Sequence, residues 1–272
     1  MSYALIGNKH WGSVILKELS SFYDTSKVIQ VNTSSAVTID DVAKDNNISH
    51  VFIATPVPTH YEITKKMLLG GKNVFCEKIF TETLFQTEEL VTLAREQNLT
   101  LTIDYLNSVS DKLLKIRSVL DDKKHHQIHI RSLQCGRTRR ESILTMSGSH
   151  IFSVLHALNV KDLQLLYYNE LPDSKKVPIW SRIMYKSSVG DIMITLSAIR
   201  DAFEFEDRDF IVSLDEYRQH KFKTVRDIVI DGAPYQYESE GGVRKMIEKF
   251  LNKESNGELS LFVARSIDQL KL

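Results

Sequence analysis

The sequence predicts a two-domain α/β chain. A parallel sheet wrapped by helices is expected over residues 1–104, and an α+β domain with a mainly antiparallel, open sheet over 105–272. Two observations carry this. Short apolar runs alternate with amphipathic stretches through the first hundred residues, joined by loops so short that the strands must run parallel. Past Asp104 the rhythm changes to consecutive strand-like segments with few helices, the pattern of an antiparallel sheet.

Tyr3-Ala4-Leu5-Ile6 is a buried strand that stops at Gly7. Trp11, Val14, Ile15, Leu19 and Phe22 then recur as a helical stripe. Val28 to Val31 is the second strand, ending in Asn32-Thr33-Ser34-Ser35. Residues 38–46 form a short helix with Asp40 and Asp41 in the first turn, where the helix dipole favours carboxylates. Val51 to Ala54 is the third strand. Residues 59–69 are a helix, opened by Thr59 and Glu62 at capping-box spacing and stopped by Gly70-Gly71. Asn73 to Cys76 is the fourth strand, 82–97 a helix, and Leu99 to Ile103 the fifth strand.

In the second half, a helix over 111–120 leads into strands at 127–134, 162–168, 180–185, 191–197, 203–209, 210–214 and 224–230. Ile192-Met193-Ile194-Thr195-Leu196 alternates as a strand does when its two faces differ. Helices are expected at 149–158 and 242–251. No internal repeat appears, and no Pro-, Gly- or Ser-rich linker separates the halves.

Composition narrows the class. The 272 residues are 42% hydrophobic and 26% charged, too apolar for intrinsic disorder. Lys plus Arg and Asp plus Glu both total 35, so neither a nucleic-acid partner nor a membrane surface is expected. No apolar run approaches the ~18–20 residues that span a bilayer. Two cysteines, Cys76 and Cys135, do not make a disulfide scaffold. With no signal-peptide pattern at the start, a cytoplasmic globular protein is expected.

The chemistry lies at the strand ends. Gly7-Asn8-Lys9-His10-Trp11-Gly12 sits between the first strand and its helix, as a dinucleotide-binding turn does. Such a turn wants three glycines. The first and last stand, and Lys9 replaces the middle one: its Cβ crowds a pyrophosphate while its ammonium offers a charge. At the end of the second strand a carboxylate would grip an adenosine ribose; here Asn32 and Thr33 stand instead, so nothing selects against a 2′-phosphate.

Ala54-Thr55-Pro56-Val57-Pro58-Thr59-His60 and Gly71-Lys72-Asn73-Val74-Phe75-Cys76-Glu77-Lys78 resemble the paired A-T-P-x-x-x-H and G-K-x-V-x-C-E-K-P motifs of the glucose–fructose oxidoreductase/inositol dehydrogenase (Gfo/Idh/MocA) family. The resemblance implies a Rossmann domain followed by an antiparallel-sheet substrate domain. It implies NAD or NADP as cofactor, bound by the glycine turn, Asn32, Thr33, Thr55, Pro56, His60, Glu77 and Lys78. It also implies hydride transfer to or from a sugar, sugar nucleotide or related polyol.

Lys78 matches the family lysine beside the nicotinamide, and a partly desolvated strand-end lysine suits proton exchange with an alkoxide. Glu77 is expected to orient that lysine or the cofactor. Ile79 stands where the family has proline, which implies a looser backbone there. In Met146-Ser147-Gly148-Ser149-His150 the family's glycine and helix-opening histidine are present and its aspartate is replaced by Met146. His150 is the candidate acid/base.

Tyr105, just past the fifth strand, is a further candidate for catalysis or substrate contact, with a packing role as its alternative. Arg137, leading a loop cluster with Arg139 and Arg140, is a candidate for substrate phosphate. His125, His126 and His129 lack a completing carboxylate or cysteine, so no metal site is expected. Cys76 is expected to be a buried packing residue.

Two readings follow: an active NAD(P)-dependent dehydrogenase or reductase, or a catalytically impaired member acting as a cofactor- or sugar-binding regulatory protein. Lys78 and His150 favour the first; Lys9, Asn32, Ile79 and Met146 favour the second. An open sheet face near Ile183, Tyr185, Met193, Thr195 and Phe205, together with the family's habit, implies a homodimer or homotetramer.

Overall fold

The computed structural model describes residues 2–111, 113, 117–118, 126–136, 142–200, 208–214, 218–222, 228–230, 233–235 and 241–271. The chain divides into two compact units: Met1–Val109 with Glu240–Asp268, and Ser110–Ser239 with Gln269–Leu272.

In the first unit, β1 (Ser2–Ile6), β2 (Val28–Val31), β3 (Ile48–Ile53), β4 (Asn73–Cys76) and β5 (Leu101–Ile103) form one parallel sheet in the order β2-β1-β3-β4-β5. The strands are as the apolar runs predict. The helices between them are α1 (His10–Leu19), α2 (Ile39–Lys44), α3 (His60–Leu69) and α4 (Leu84–Glu96). The order reverses between β1 and β3, and all five carboxyl ends share one edge. In such sheets that edge, at the reversal, is where ligands sit.

Local starts follow the capping rules, with one exchange. The capping box belongs to α2: Thr38 accepts from the Asp41 backbone N–H, and the Asp41 side chain accepts from the Thr38 N–H. At α3 the expected box is absent. Thr59 has helical backbone angles after a short 3₁₀ turn, Val57–Thr59, and its hydroxyl lies 2.7 Å from the Pro56 carbonyl.

The C-terminal helices are the main departure from the expected division at residue 104. Helix α6 (Gly242–Leu251) puts Val243, Met246, Ile247 and Phe250 into one cluster with Leu5, Ile15, Leu19, Phe52 and Phe75 of the parallel sheet and α1. The Phe250 ring meets Phe52 edge-on at 5.3 Å. Helix α7 (Gly257–Asp268) lies outside any periodic stretch recognised in the sequence, because Leu259 to Val263 is a nearly continuous apolar run.

The turn before α7 closes the open edge of β5. Asn256 accepts from the Ile103 N–H and donates to the Ile103 carbonyl, both at 2.8 Å, while Ser255 accepts from the Leu101 N–H at 3.1 Å. An edge strand left bare carries unpaired backbone groups; here a side chain stands in for the missing strand.

The second unit holds an eight-stranded sheet in the order β13-β12-β11-β10-β6-β9-β8-β7. Its members are β6 (His126–Gly136), β7 (Gln164–Pro172), β8 (Pro178–Ser187), β9 (Gly190–Arg200), β10 (Arg208–Leu214), β11 (Arg218–Phe222), β12 (Ile228–Ile230) and β13 (Ala233–Tyr235). Among the described strands of this sheet, β6 and β9 pair in parallel and the other pairs are antiparallel. Helix α5 (Ile143–Ala157) packs on β8 and β9. Ile192, Ile194 and Leu196 are buried, with Met193 and Thr195 on the other face, as the alternation predicts. Ile183 and Tyr185, expected on the open face, are buried instead; Tyr185 meets Phe152 of α5 edge-on. The open face near them carries Arg182 and Met184. Phe205 lies outside the described residues.

Replacing Asn256 with Ala should destabilise the fold by about 2 kcal/mol, because two paired backbone groups of Ile103 lose their partner. Urea unfolding checks this, and unchanged stability would show that the C-terminal turn does not hold β5.

Candidate functional site

The glycine turn is shaped by backbone crowding. Gly7 has φ +103°, and a Cβ there would stand 2.4 Å from the Ala54 carbonyl oxygen at the end of β3. A Cβ on Gly12 would stand 2.2 Å from the Gly7 carbonyl oxygen. Only glycine fits either place. Lys9, the departure between them, has φ −79° and ψ −169°, ordinary extended backbone. The missing glycine therefore costs the turn nothing in conformation. No side chain caps the first turn of α1, and Asn8, Lys9 and His10 are exposed in front of it. Trp11 is turned partly into the core beside α1, where it packs on the sheet cluster. A helix start left uncapped beside a glycine turn fits a dinucleotide pyrophosphate.

At the end of β2, Asn32 folds onto its own loop: its side-chain oxygen accepts from the Ser34 N–H at 2.8 Å, and its backbone N–H donates to the Ser35 hydroxyl. The amide NH₂ remains for a ribose, and Thr33 is exposed beside it. A donor thus stands where the usual ribose contact is a carboxylate acceptor.

Thr55 and Pro56 follow β3. His60, at the start of α3, is almost wholly buried and joins two strand-end loops: its Nε2 is 2.8 Å from the Thr55 carbonyl and its Nδ1 2.8 Å from the Ile79 carbonyl. A neutral ring donates to only one of them. Burial holds the imidazole below its ordinary pKa, against the two carbonyls, which favour the charged form. The sequence motif implies a cofactor contact for His60; the structure gives it a strap between loops, with no ring nitrogen left for a ligand. The 78–80 segment, expected to be loose for want of a proline, is fastened by this strap and by buried Phe80. The Lys78–Ile79 peptide bond is cis.

Glu77 and Lys78 leave β4 at the same edge. Lys78 is half-buried, while Glu77 is 4% exposed and Asp104, just past β5, fully enclosed. The Glu77 N–H donates to the Ile53 carbonyl and the Asp104 N–H to the Cys76 carbonyl, both at 2.9 Å, so three adjacent strand ends lock together. Burial pushes both carboxyl groups well above the carboxylate range; the charge of Asp104 raises Glu77 further, and Lys78 opposes the rise in both. The Asp104 role went unrecognised in the sequence. Its signal is there: Glu77 and Asp104 each directly follow a buried strand.

Tyr105 follows β5 into the interior of the first unit. It is 2% exposed, and its hydroxyl bonds with Ser260 of α7 inside the first unit. The structure thus places it among packed side chains rather than on the open sheet edge. The Cys76 thiol is fully buried, and burial pushes its pKa up.

His150 belongs to the second unit. The helix expected to open at 149 begins at Ile143, so His150 sits in the middle of α5 rather than at its start. Ser147 and Ser149 beside it are buried, and its own backbone carbonyl accepts from the Ser153 hydroxyl at 2.8 Å. Met146 lies in the same helix. Arg137, Arg139, Arg140 and His125 lie outside the described residues. Among the described residues no three His, Cys, Asp or Glu side chains gather as for a metal ion, and no helix is long and apolar enough to cross a membrane.

Glu77 and Asp104 make stability depend on pH in a definite direction. A carboxyl raised in the fold holds a proton that the unfolded chain gives up above about pH 4, so its contribution is complete below that pH and is lost as pH rises. Unfolding free energy should therefore fall between pH 5 and 8 with a component of about 1.4 kcal/mol per pH unit per proton. Glu77→Gln, which cannot ionise, should flatten that slope in urea titrations; an unchanged slope would place the retained proton elsewhere.

Known proteins agree with this geometry. Residues 13–105 match the oxidoreductase family with an NAD-binding Rossmann fold, Gfo/Idh/MocA. An uncharacterized oxidoreductase of Schizosaccharomyces pombe is 43% identical over 65 residues, 24% of this chain and 18% of that protein's length. The match thus spans less than a fifth of that relative. Solved structures extend the likeness of fold over the whole chain. A UDP-N-acetylglucosamine 3-dehydrogenase of Acidithiobacillus ferrooxidans superposes with TM-score 0.81 at 14% identity, over 99% of this chain and 96% of its own. The scyllo-inositol dehydrogenase of Lactobacillus casei, solved with NAD(H) and scyllo-inositol, gives 0.74 at 12% identity over 100% and 96%. Residues 13–105 thus match the NAD-binding Rossmann fold of the Gfo/Idh/MocA model, and the chain shares its fold with these solved dehydrogenases.

Proposed function

We propose that the chain is an NAD(P)-dependent oxidoreductase moving a hydride to or from a CH–OH carbon of a sugar, sugar nucleotide or related polyol. The observation that carries this is Lys78, half-buried on the sheet edge that also presents the glycine turn and the uncapped start of α1. The named substrates of similar dehydrogenases, a nucleotide sugar and an inositol, support the substrate class.

The nicotinamide, when bound, supplies or takes the hydride. Gly7, Gly12 and the α1 N–H groups would hold its pyrophosphate, with Lys9 as counter-charge, Thr55 and Pro56 alongside, and Asn32 and Thr33 at the ribose. Lys78 Nζ would give a proton to the reacting oxygen in reduction and take it in oxidation. His150 is the second proton-transfer candidate, and Arg137 the candidate for substrate phosphate.

A second reading, a cofactor- or sugar-binding regulatory protein without turnover, is favoured by Met146 at the family's aspartate position and by Asn32, whose oxygen is already taken. One experiment separates them. Calorimetric titration with NAD, NADH, NADP and NADPH should show binding with little preference between the two cofactors, since Asn32 offers no carboxylate. Lys78→Met should then cut turnover by ~10²–10⁴-fold while cofactor affinity changes little. Binding without turnover supports the regulatory reading; no binding of any form at millimolar concentration sinks the enzyme reading.

The second unit's sheet is proposed to pair two copies. Leu166 and Leu171 of β7 are 55% and 54% exposed, and Tyr167 and Met184 are exposed with them. A two-fold axis lets such a patch meet its own copy. Light scattering at micromolar concentration should give at least twice the 31.2 kDa of one chain. A monomer would refute the pairing.

A further inference from the structure

The carboxyl groups of Glu77 and Asp104 have no ordinary explanation as ions. Both are buried, at 4% and 0% exposure, on the ends of neighbouring strands held by the Cys76–Ile103 register. Glu77 Oε1 and both Asp104 oxygens receive no hydrogen bond from any donor group among the described residues. The β4–β5 register sets the two residues opposite one another, and the charge of Asp104 acts on Glu77. Two facing carboxylates repel one another, and a single proton between them supplies the donor that Glu77 Oε1 and the Asp104 oxygens lack. Burying two adjacent negative charges with three of their four oxygens lacking a donor would also cost far more than protonating one.

We propose that Glu77 and Asp104 share a single proton at neutral pH and form a buried acid pair of net charge −1 behind Lys78, tuning the proton exchange of that lysine. The inference deepens the dehydrogenase reading and rests on it only for the role of Lys78. The singly protonated pair offers one negative charge to one ammonium, so the three groups are neutral together. A second ionisation would leave an excess negative charge beside Lys78 and tighten its hold on its proton. Asp104 is then a positioning residue, acting through Lys78. The other titratable groups of the neighbourhood are the Cys76 thiol, the Tyr105 hydroxyl and the His60 ring. The first two are buried and raised, and the third is bound to backbone carbonyls. None of them supplies a donor to the pair.

The test is infrared spectroscopy of the full chain without cofactor. At neutral pH the protein should show the carbonyl stretch of a protonated carboxylic acid, shifted in D₂O and fading as pH is raised. The band should be lost in Glu77→Gln and in Asp104→Asn, where an amide donor lets the remaining carboxyl ionise; one folded variant suffices to assign it. A wild-type spectrum with no such band, or a band unmoved in a folded variant, overturns the proposal whatever the activity. Where turnover is found, Asp104→Asn should also shift the alkaline limb of the kcat/KM profile, and an unmoved limb removes Asp104 from the tuning of Lys78. Absence of turnover with the band present overturns the dehydrogenase reading and the tuning of Lys78, while the shared proton stands.

Discussion

Three backbones cross at one point with no side chain between them. The Gly12 Cα faces the Gly7 carbonyl, and the Gly7 Cα faces the Ala54 carbonyl at the end of β3. This closeness draws α1 down onto the β1–β3 reversal and puts its free N–H groups at the sheet edge. Everything else at that edge takes its place from the same sheet. Asn32 ends one flank of it, while Thr55, Glu77-Lys78 and Asp104 end successive strands on the other. A methyl group at either glycine would push against main chain, which cannot swing away as a side chain can.

The loops beyond the edge are held by polar groups as well as by buried Phe80. His60 ties the loop after β3 to the segment after Lys78, and Thr81 shares a hydroxyl hydrogen bond with Thr87 at the start of α4. Buried polar groups of this kind are costly unless satisfied, and satisfied they fix one arrangement. Lys78 is thereby presented from a braced segment even though no proline stiffens it.

What could be read from the sequence was what local pattern determines. Four-residue apolar runs with polar ends identify the strands of the first sheet, and Ile192, Ile194 and Leu196 sort correctly to the buried face of β9. What escaped was non-local. Nothing in the spacing of Val243, Met246, Ile247 and Phe250 says that this stripe belongs to Phe52 and Phe75, nearly two hundred residues earlier. Tyr105 looked like a site residue because it follows β5, but α7, which covers it, was hidden in an apolar run without period. Glu77 and Asp104 become neighbours only through the β4–β5 register. His60 carries a motif position whose duty, bonding two carbonyls, is invisible until both loops are in place.

The departures from the family pattern are unequal in weight. At Lys9 the backbone is ordinary, so a lysine in place of glycine changes the charge and room in front of α1 but not the turn. At Ile79 the strap from His60 does the fixing. Asn32 changes the chemistry more, since its oxygen is spent on Ser34 and only a donor is left for the ribose. In the proposed function the cofactor would then be held chiefly at the glycine turn and the helix start, by its phosphates, with indifference to the 2′ position. Met146 removes a carboxylate from the second unit, while the first unit carries a carboxyl pair behind Lys78. Among the described residues, burial raises the carboxyl groups of Glu77 and Asp104 at the sheet edge of the first unit, beside Lys78.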